Sequence, residues 1–173
     1  MLLEQVRQVE AGIERVAERN PGFLVTEAMI LRVAVILGRT LTSRLDQWLK
    51  PTGLAEMEFR ALMSLYSQGD GRAHPSELCS TLAQSPANLT RVSDALAERG
   101  LITRELSDQD RRRMVIHITP AGEQLVCQLL PDMAAYMRGL FSDFTTEDKT
   151  NLLADLKRVL GALDAAPEQV TQS

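Results

Sequence analysis

Aromatic residues are scarce in this sequence: one Trp, two Tyr and four Phe supply 4% of it, against a hydrophobic content of 45%. Leucine, alanine and valine dominate instead, which suits packed helices better than a sheet sandwich. Long apolar runs are missing too, since none reaches the roughly 18 to 20 residues that cross a bilayer. The succession of basic, apolar and small residues that makes a signal peptide does not open the chain. These absences lead to the expectation of a soluble cytoplasmic protein. Cysteine and histidine are equally sparse. Cys79 and Cys127 fit no metal or thioredoxin spacing. Cys79, between Leu78 and Leu82, reads as a small core residue, and neither thiol has a clear flanking cation to lower its pKa. His74 and His117 have no ligand at i plus four. There is no nucleophile elbow, no glycine-rich phosphate loop and no carboxylate pair in an apolar setting. No catalytic residue, metal site or cofactor is therefore expected, and an enzyme is excluded.

Excess positive charge is also lacking, for the net charge is -4 and the pI about 5.3. Taken globally this argues against a nucleic-acid partner. Locally the balance reverses: Ser85 to Ile118 carries six arginines against five acids, so that segment is +1 and the remainder -5. Arrangement counts for more than the sum. Asp94 and Glu98 fall late in their helix, while Arg111, Arg112 and Arg113 stand together.

The stretch from His74 to Pro120 organises the chain. A short helix is expected from Pro75 to about Ala83, and a second from Ser85-Pro86, serine being a strong N-cap and proline preset for the first helical position. Leu89, Val92 and Leu96 give the second helix one buried stripe. Its free face carries Ser85, Asn88 and Arg91, with Ala87 and Thr90 beside them. Gly100 is placed to end the helix in the left-handed conformation, with Leu101 as the accompanying hydrophobic contact. From there the period becomes two. Ile102 and Arg104 alternate with Thr103 and Glu105, a polar turn follows at Ser107-Asp108-Gln109-Asp110, and Met114, Ile116 and Ile118 alternate with Val115 and His117 on the way back. Two helices, a tight turn and a hairpin with an arginine-rich tip make a winged helix.

The run PSELCSTLAQSPANLTRVSDALAERGLITRELSDQDRRRMVIHITPAGEQL resembles the core of MarR-family transcriptional regulators, including the wing pattern at Asp108, Asp110, Arg111 and Arg112. From about Phe23 to Leu163 the chain is similar to the EmrR (MprA) type of multidrug-efflux repressor within that family. The resemblance implies DNA binding through Ser85, Pro86, Ala87, Asn88, Thr90, Arg91, Arg111, Arg112 and Arg113. In the major groove asparagine can pair with adenine and arginine with guanine, while Ser85 and the helix N-terminus can hold a phosphate. The wing arginines would reach the backbone or the minor groove, and Asp108 or Asp110 would fix their geometry. A winged helix that binds protein rather than DNA is the alternative, as is a redox-switched regulator using Cys79 or Cys127.

Flanking elements complete the organisation. Leu2, Val6, Val9, Ile13 and Val16 predict an amphipathic helix before Asn20-Pro21-Gly22, either packed on its own core or serving as a dimerisation arm. Thr26 is expected to cap a long helix to about Leu49, apolar on more than one face and stopped by Pro51. Met57, Ala61, Leu62 and Leu65 mark a helix ending before Gly69. Thr119-Pro120 opens another long one, expected to bend at Pro131, and Thr145 or Thr146 caps a last one striped by Leu152, Leu153, Leu156, Val159, Leu160 and Leu163. The expected fold is mainly α with a small β-wing: dimerisation helices at 1–50 and 120–166, a winged helix-turn-helix at 51–119, and a flexible tail at 167–173. Two copies would set their recognition helices roughly 34 Å apart on a palindromic operator. The resemblance further implies a small anionic or lipophilic aromatic effector bound where the dimer helices meet the winged helix. Arg32 and Arg39, seven apart beside Met29, Val33 and Ile36, are candidates for its carboxylate, with Met57, Met63 and Tyr66 as the facing wall.

Overall fold

A computed structural model of the chain describes residues 1–106 and 113–165. The chain forms two compact units, Met1–Val126 and Cys127–Ser173. In the first lie α1 (Leu2–Arg19), α2 (Val25–Leu49), α3 (Glu56–Tyr66), β1 (Arg72–Ala73), α4 (Pro75–Leu82), α5 (Pro86–Glu98), β2 (Ile102–Leu106) and β3 (Met114–Ile118). The helix α6 (Pro120–Leu140) has its opening turns in the first unit and the rest in the second, which also holds α7 (Thr146–Ala165). Seven α-helices and one small antiparallel sheet among the described residues match the expected mainly α class with a β-wing.

The apolar stripe of α1 turns Val6, Val9 and Ile13 inward, half-buried, against α2. At its end Asn20 Nδ2 donates to the Val16 carbonyl at 2.9 Å, and Gly22 takes φ +94° in the turn. Contrary to the expected Thr26 cap, α2 begins at Val25, with Leu24 ahead of it and no side-chain cap bond. The preceding turn sets that boundary: Phe23 N–H bonds to Asn20 O at 3.1 Å, and the helical pattern is running by Ala28 N–H to Leu24 O at 3.0 Å. Thr26 is left exposed in the first turn. At the other end Pro51 sits in a tight 3-10 turn, Lys50–Thr52, and Gly53 leaves it at φ +68°.

The core sits between α3, α4, α5 and the sheet. Leu62, Leu65, Leu78 and Leu96 are fully buried there, together with Leu49 and Val126. Each such leucine contributes about 1.5–3 kcal/mol of burial. Trp48 meets Phe59 edge-on at 5.9 Å between ring centres, joining the end of α2 to α3. The sheet order is β1-β3-β2, with Ile102 opposite Ile118, Arg104 opposite Ile116, and Ala73 of β1 also opposite Ile116. Its short β1 strand was not foreseen, because two residues are too few to show an alternation.

Close approach seats α6. A Cβ on Gly122 would lie 2.3 Å from the Leu101 carbonyl oxygen, so only glycine lets the helix in. Thr119 Oγ1 donates to Gly100 O at 2.7 Å and accepts from Gly122 N–H at 3.1 Å, capping the helix as expected. The helix continues through Pro131 without dividing. In the second unit Thr145 caps α7, its hydroxyl accepting from Asp148 N–H at 3.1 Å while Asp148 Oδ2 accepts from Thr145 N–H at 2.9 Å. Among the described residues no helix is long and apolar enough to cross a membrane.

Candidate nucleic-acid interface

The turn between α4 and α5 determines how the exposed face of α5 is presented. Pro75 occupies the first turn of α4, and Glu77 folds back to accept from His74 N–H at 2.8 Å. The helix ends at Ala83, held in the left-handed region at φ +51°, which costs an alanine about 1 kcal/mol or more. Gln84 N–H then bonds to Cys79 O at 2.9 Å. Ser85 follows as the N-cap of α5, its hydroxyl accepting from Asn88 N–H at 3.3 Å, with Pro86 next. Two helices are thereby joined through three residues.

As expected, α5 buries Leu89, Val92 and Leu96, and Ser93 with them. It ends on a double reverse bond, Leu101 N–H to Leu96 O at 3.0 Å and Gly100 N–H to Ala97 O at 2.9 Å, with Gly100 at φ +67°. On the opposite side Ser85, Pro86, Ala87, Thr90 and Arg91 are exposed and Asn88 is half-buried. Thr90 donates its hydroxyl to Pro86 O at 2.9 Å. Asn88 Nδ2 donates to Gln84 Oε1 at 2.5 Å, and Arg91 Nη2 donates to Asn88 Oδ1 at 3.1 Å.

Three further side chains, which no local spacing marks, fix α5 and the wing. Arg104 of β2 pairs with Asp94 at 2.7 Å and reaches Thr90 O at 3.4 Å, which removes one acid from the free face of α5 and ties the helix to the hairpin. Arg99 donates to Thr52 O at 2.8 Å and Gly53 O at 2.9 Å, with Glu58 at 3.9 Å, so the end of α5 grips the turn after α2. His74 Nδ1 lies 3.0 Å from Met114 O, joining the start of α4 to β3. These partners lie 10 to 47 residues away or on another element, so no local spacing names them. At the turn into β1 the Arg72 side chain, hydrogen-bonded to Asp70, holds that carboxyl below its usual range.

Arg113 is exposed at the base of the wing. Asp108, Asp110, Arg111 and Arg112 lie outside the described residues, as do 167–173. Of the candidate effector residues, Arg32, Ile36 and Arg39 line one groove of about 640 Å³ between α1 and α2, with Arg44, Gln5, Ser43 and Gln47. Met29, Val33, Met57, Met63 and Tyr66 do not line it, because the opposite wall is α1 rather than α3. Among the described residues its lining holds no carboxylate, and Arg32, Arg39 and Arg44 make no ion pair. Cys79 is half-buried in α4 and Cys127 exposed on α6.

Comparison with known proteins agrees with this architecture. The MarR family profile matches residues 54–114, from the residue after Gly53 to the first residue of β3. The transcriptional repressor MprA of Escherichia coli (strain K12) is 31% identical over 156 residues, covering 90% of this chain and 89% of that protein. The crystal structure of AbsC, a MarR family transcriptional regulator from Streptomyces coelicolor, superposes with a TM-score of 0.74 at 27% identity, covering 82% of this chain and 96% of that one. The fold is shared at 20% identity with a Staphylococcus aureus MepR-DNA complex, TM-score 0.70, over 76% of this chain and 96% of that one. These relatives are regulators, not enzymes. A 31% match that runs through the terminal helices as well as the winged helix means that the chain belongs to the MarR family of transcriptional regulators.

Proposed function

We propose that the protein is a homodimeric, sequence-specific repressor that binds a palindromic DNA operator and leaves it when a small anionic, aromatic or lipophilic effector binds. The observation that carries the reading is the capped helix α5, whose exposed first turns are lined by Ser85, Asn88, Thr90 and Arg91 beside the β2–β3 hairpin. A helix presented this way enters a major groove by its N-terminal residues, and a hairpin beside it reaches the phosphates. In this reading Ser85, Pro86 and Ala87 pack against the DNA backbone. Arg111, Arg112 and Arg113 engage the phosphates or minor groove, and Asp108 and Asp110 hold the wing.

Dimer formation is supported by α7, where Leu153, Leu160 and Leu163 are 54%, 61% and 60% exposed. Such a stripe on a helix calls for a second copy. Effector binding is supported by the groove of Arg32, Arg39 and Arg44, cationic groups left over an apolar floor of Val35 and Ile36. An effector that prefers the DNA-incompetent spacing about 100-fold supplies about 2.7 kcal/mol per site, enough to empty an operator. The resemblance of the sequence to multidrug-efflux repressors makes a neighbouring exporter gene the first target to examine.

Footprinting on the DNA upstream of the protein's own gene, with and without salicylate-like aromatic acids, tests the reading. A protected palindrome that is lost with the acid is expected. Protection that survives the acid removes these effectors. No protection at any salt concentration replaces the repressor by a protein-binding winged helix. Binding should weaken steeply with salt, and Arg112→Ala should lower the slope of log K against log salt by about 0.9 if that arginine meets a phosphate.

A further inference from the structure

The polar side chains along α5 are wired in one direction. Gln84 Nε2 donates to the carbonyl of Leu82, the last residue of α4, at 3.2 Å. A carbonyl can only accept, so the Gln84 amide turns its NH₂ toward that group and its oxygen away. That oxygen takes Asn88 Nδ2 at 2.5 Å, which leaves Asn88 Oδ1 to take Arg91 Nη2 at 3.1 Å. A backbone carbonyl at the end of α4 thus sets the orientation of every side chain in the row. Gln84 and Asn88 are half-buried and Arg91 is exposed, so order passes from the fold outward to the guanidinium.

This wiring divides the labour between Asn88 and Arg91. To read adenine, an asparagine must offer its amide N–H and its oxygen together to the base edge. Asn88 already engages one of its two N–H groups with Gln84 and one of its oxygen's two lone pairs with Arg91, and these bonds hold its amide in the row instead of leaving it free to swing onto a base. Arg91 spends only one of its five N–H donors and has no carboxylate partner among the described residues. Its planar fork stays available to the O6 and N7 of guanine. A long side chain held before binding loses less rotamer freedom when it binds. We propose that Arg91 is the guanine-reading group of α5, and that Gln84 and Asn88 are positioning residues that aim it rather than readers of bases. The proposal rests on the DNA-binding reading above.

The full-length protein would first select duplexes from a random pool. Each guanine of the selected site would then be replaced by 7-deazaguanine, which lacks the N7 acceptor, and binding constants measured. One guanine per half-site should show a penalty of at least about 5-fold, the lower end for a bidentate base contact. Arg91→Ala should abolish the penalty at that guanine alone. Asn88→Ala and Gln84→Ala, folded by circular dichroism, should still bind, yet with the same penalty reduced to about 2-fold. Asn88→Asp, which keeps an acceptor for Arg91, should retain most of it; a residue needed only for folding would give no such rescue. The proposal is overturned if Asn88→Ala keeps the full guanine penalty and instead erases a 7-deazaadenine penalty elsewhere. It is equally overturned if no guanine responds to Arg91→Ala. A pool from which nothing is enriched overturns the DNA-binding reading itself, and this proposal with it.

Discussion

Every buried hydrophobic residue among those described lies between Leu49 and Val126, whereas α1 and α7 bury none and α2 only Leu49 at its end. Both regions are written in the same amphipathic pattern. Leu89, Val92 and Leu96 repeat on α5 much as Leu153, Leu156 and Leu160 do on α7, yet the first set is 1–4% exposed and the second 45–61%. Periodicity fixes that a helix has an apolar face, and leaves open whether the same chain covers it. The winged helix is complete in one chain. The terminal helices leave their apolar faces exposed, as the proposed dimer requires.

The largest effect should come from attacking the uncovered face. Leu156 and Leu160 are 45% and 61% exposed, so covering them in a dimer adds about half of the 1.5–3 kcal/mol of full burial per leucine, and Leu156→Glu with Leu160→Glu in both subunits should cost association on the order of 3–6 kcal/mol. Sedimentation should then find a monomer. A dimer that survives both changes would sink the assignment of α7 to the interface. Leu96→Ala attacks the covered face of α5, where the side chain is 1% exposed, and should cost about 2–5 kcal/mol in urea unfolding. Gly122→Ala comes next, at about 1–3 kcal/mol, because its Cβ would meet the Leu101 carbonyl at 2.3 Å and push α6 off its seat. If Leu96→Ala shifts the association equilibrium as strongly as the glutamates do, the two regions are not separable.

What the sequence made legible follows the same division. Ser85-Pro86, Gly100 and Thr119-Pro120 announce helix boundaries through local chemistry, and the structure has caps at each of them. Thr26 is a good capping residue type, yet the Asn20-to-Phe23 turn starts α2 ahead of it, at Val25. Contacts between distant segments stayed hidden: Arg99 with Thr52 and Gly53, Arg104 with Asp94, and His74 with Met114 depend on which elements the fold brings together. The α1–α2 groove was half legible. Arg32 and Arg39 share a face by spacing, but α1 as the opposite wall is a tertiary fact.

The smallest expected effect concerns how α7 is held without a core. Its first turn depends on Thr145, whose hydroxyl and backbone N–H both bond to Asp148, and these bonds hold the Asp148 carboxyl below its ordinary value of 3.8. A carboxyl depressed in the folded state adds stability above its unfolded pKa and loses it as the pH falls through the folded one. Lowering the pH below about 4 should therefore fray α7 at this end. Thr145→Ala removes the larger of the two causes, the side-chain bond, so the Asp148 titration should move up toward the ordinary value and the acid dependence of helicity should flatten. Carbon-detected NMR titration of Asp148 reads this directly. An unmoved titration in Thr145→Ala would mean that the cap contributes nothing to α7, shifting its support toward the proposed intersubunit face and sharpening the contrast with the winged helix, whose leucines are covered within one chain.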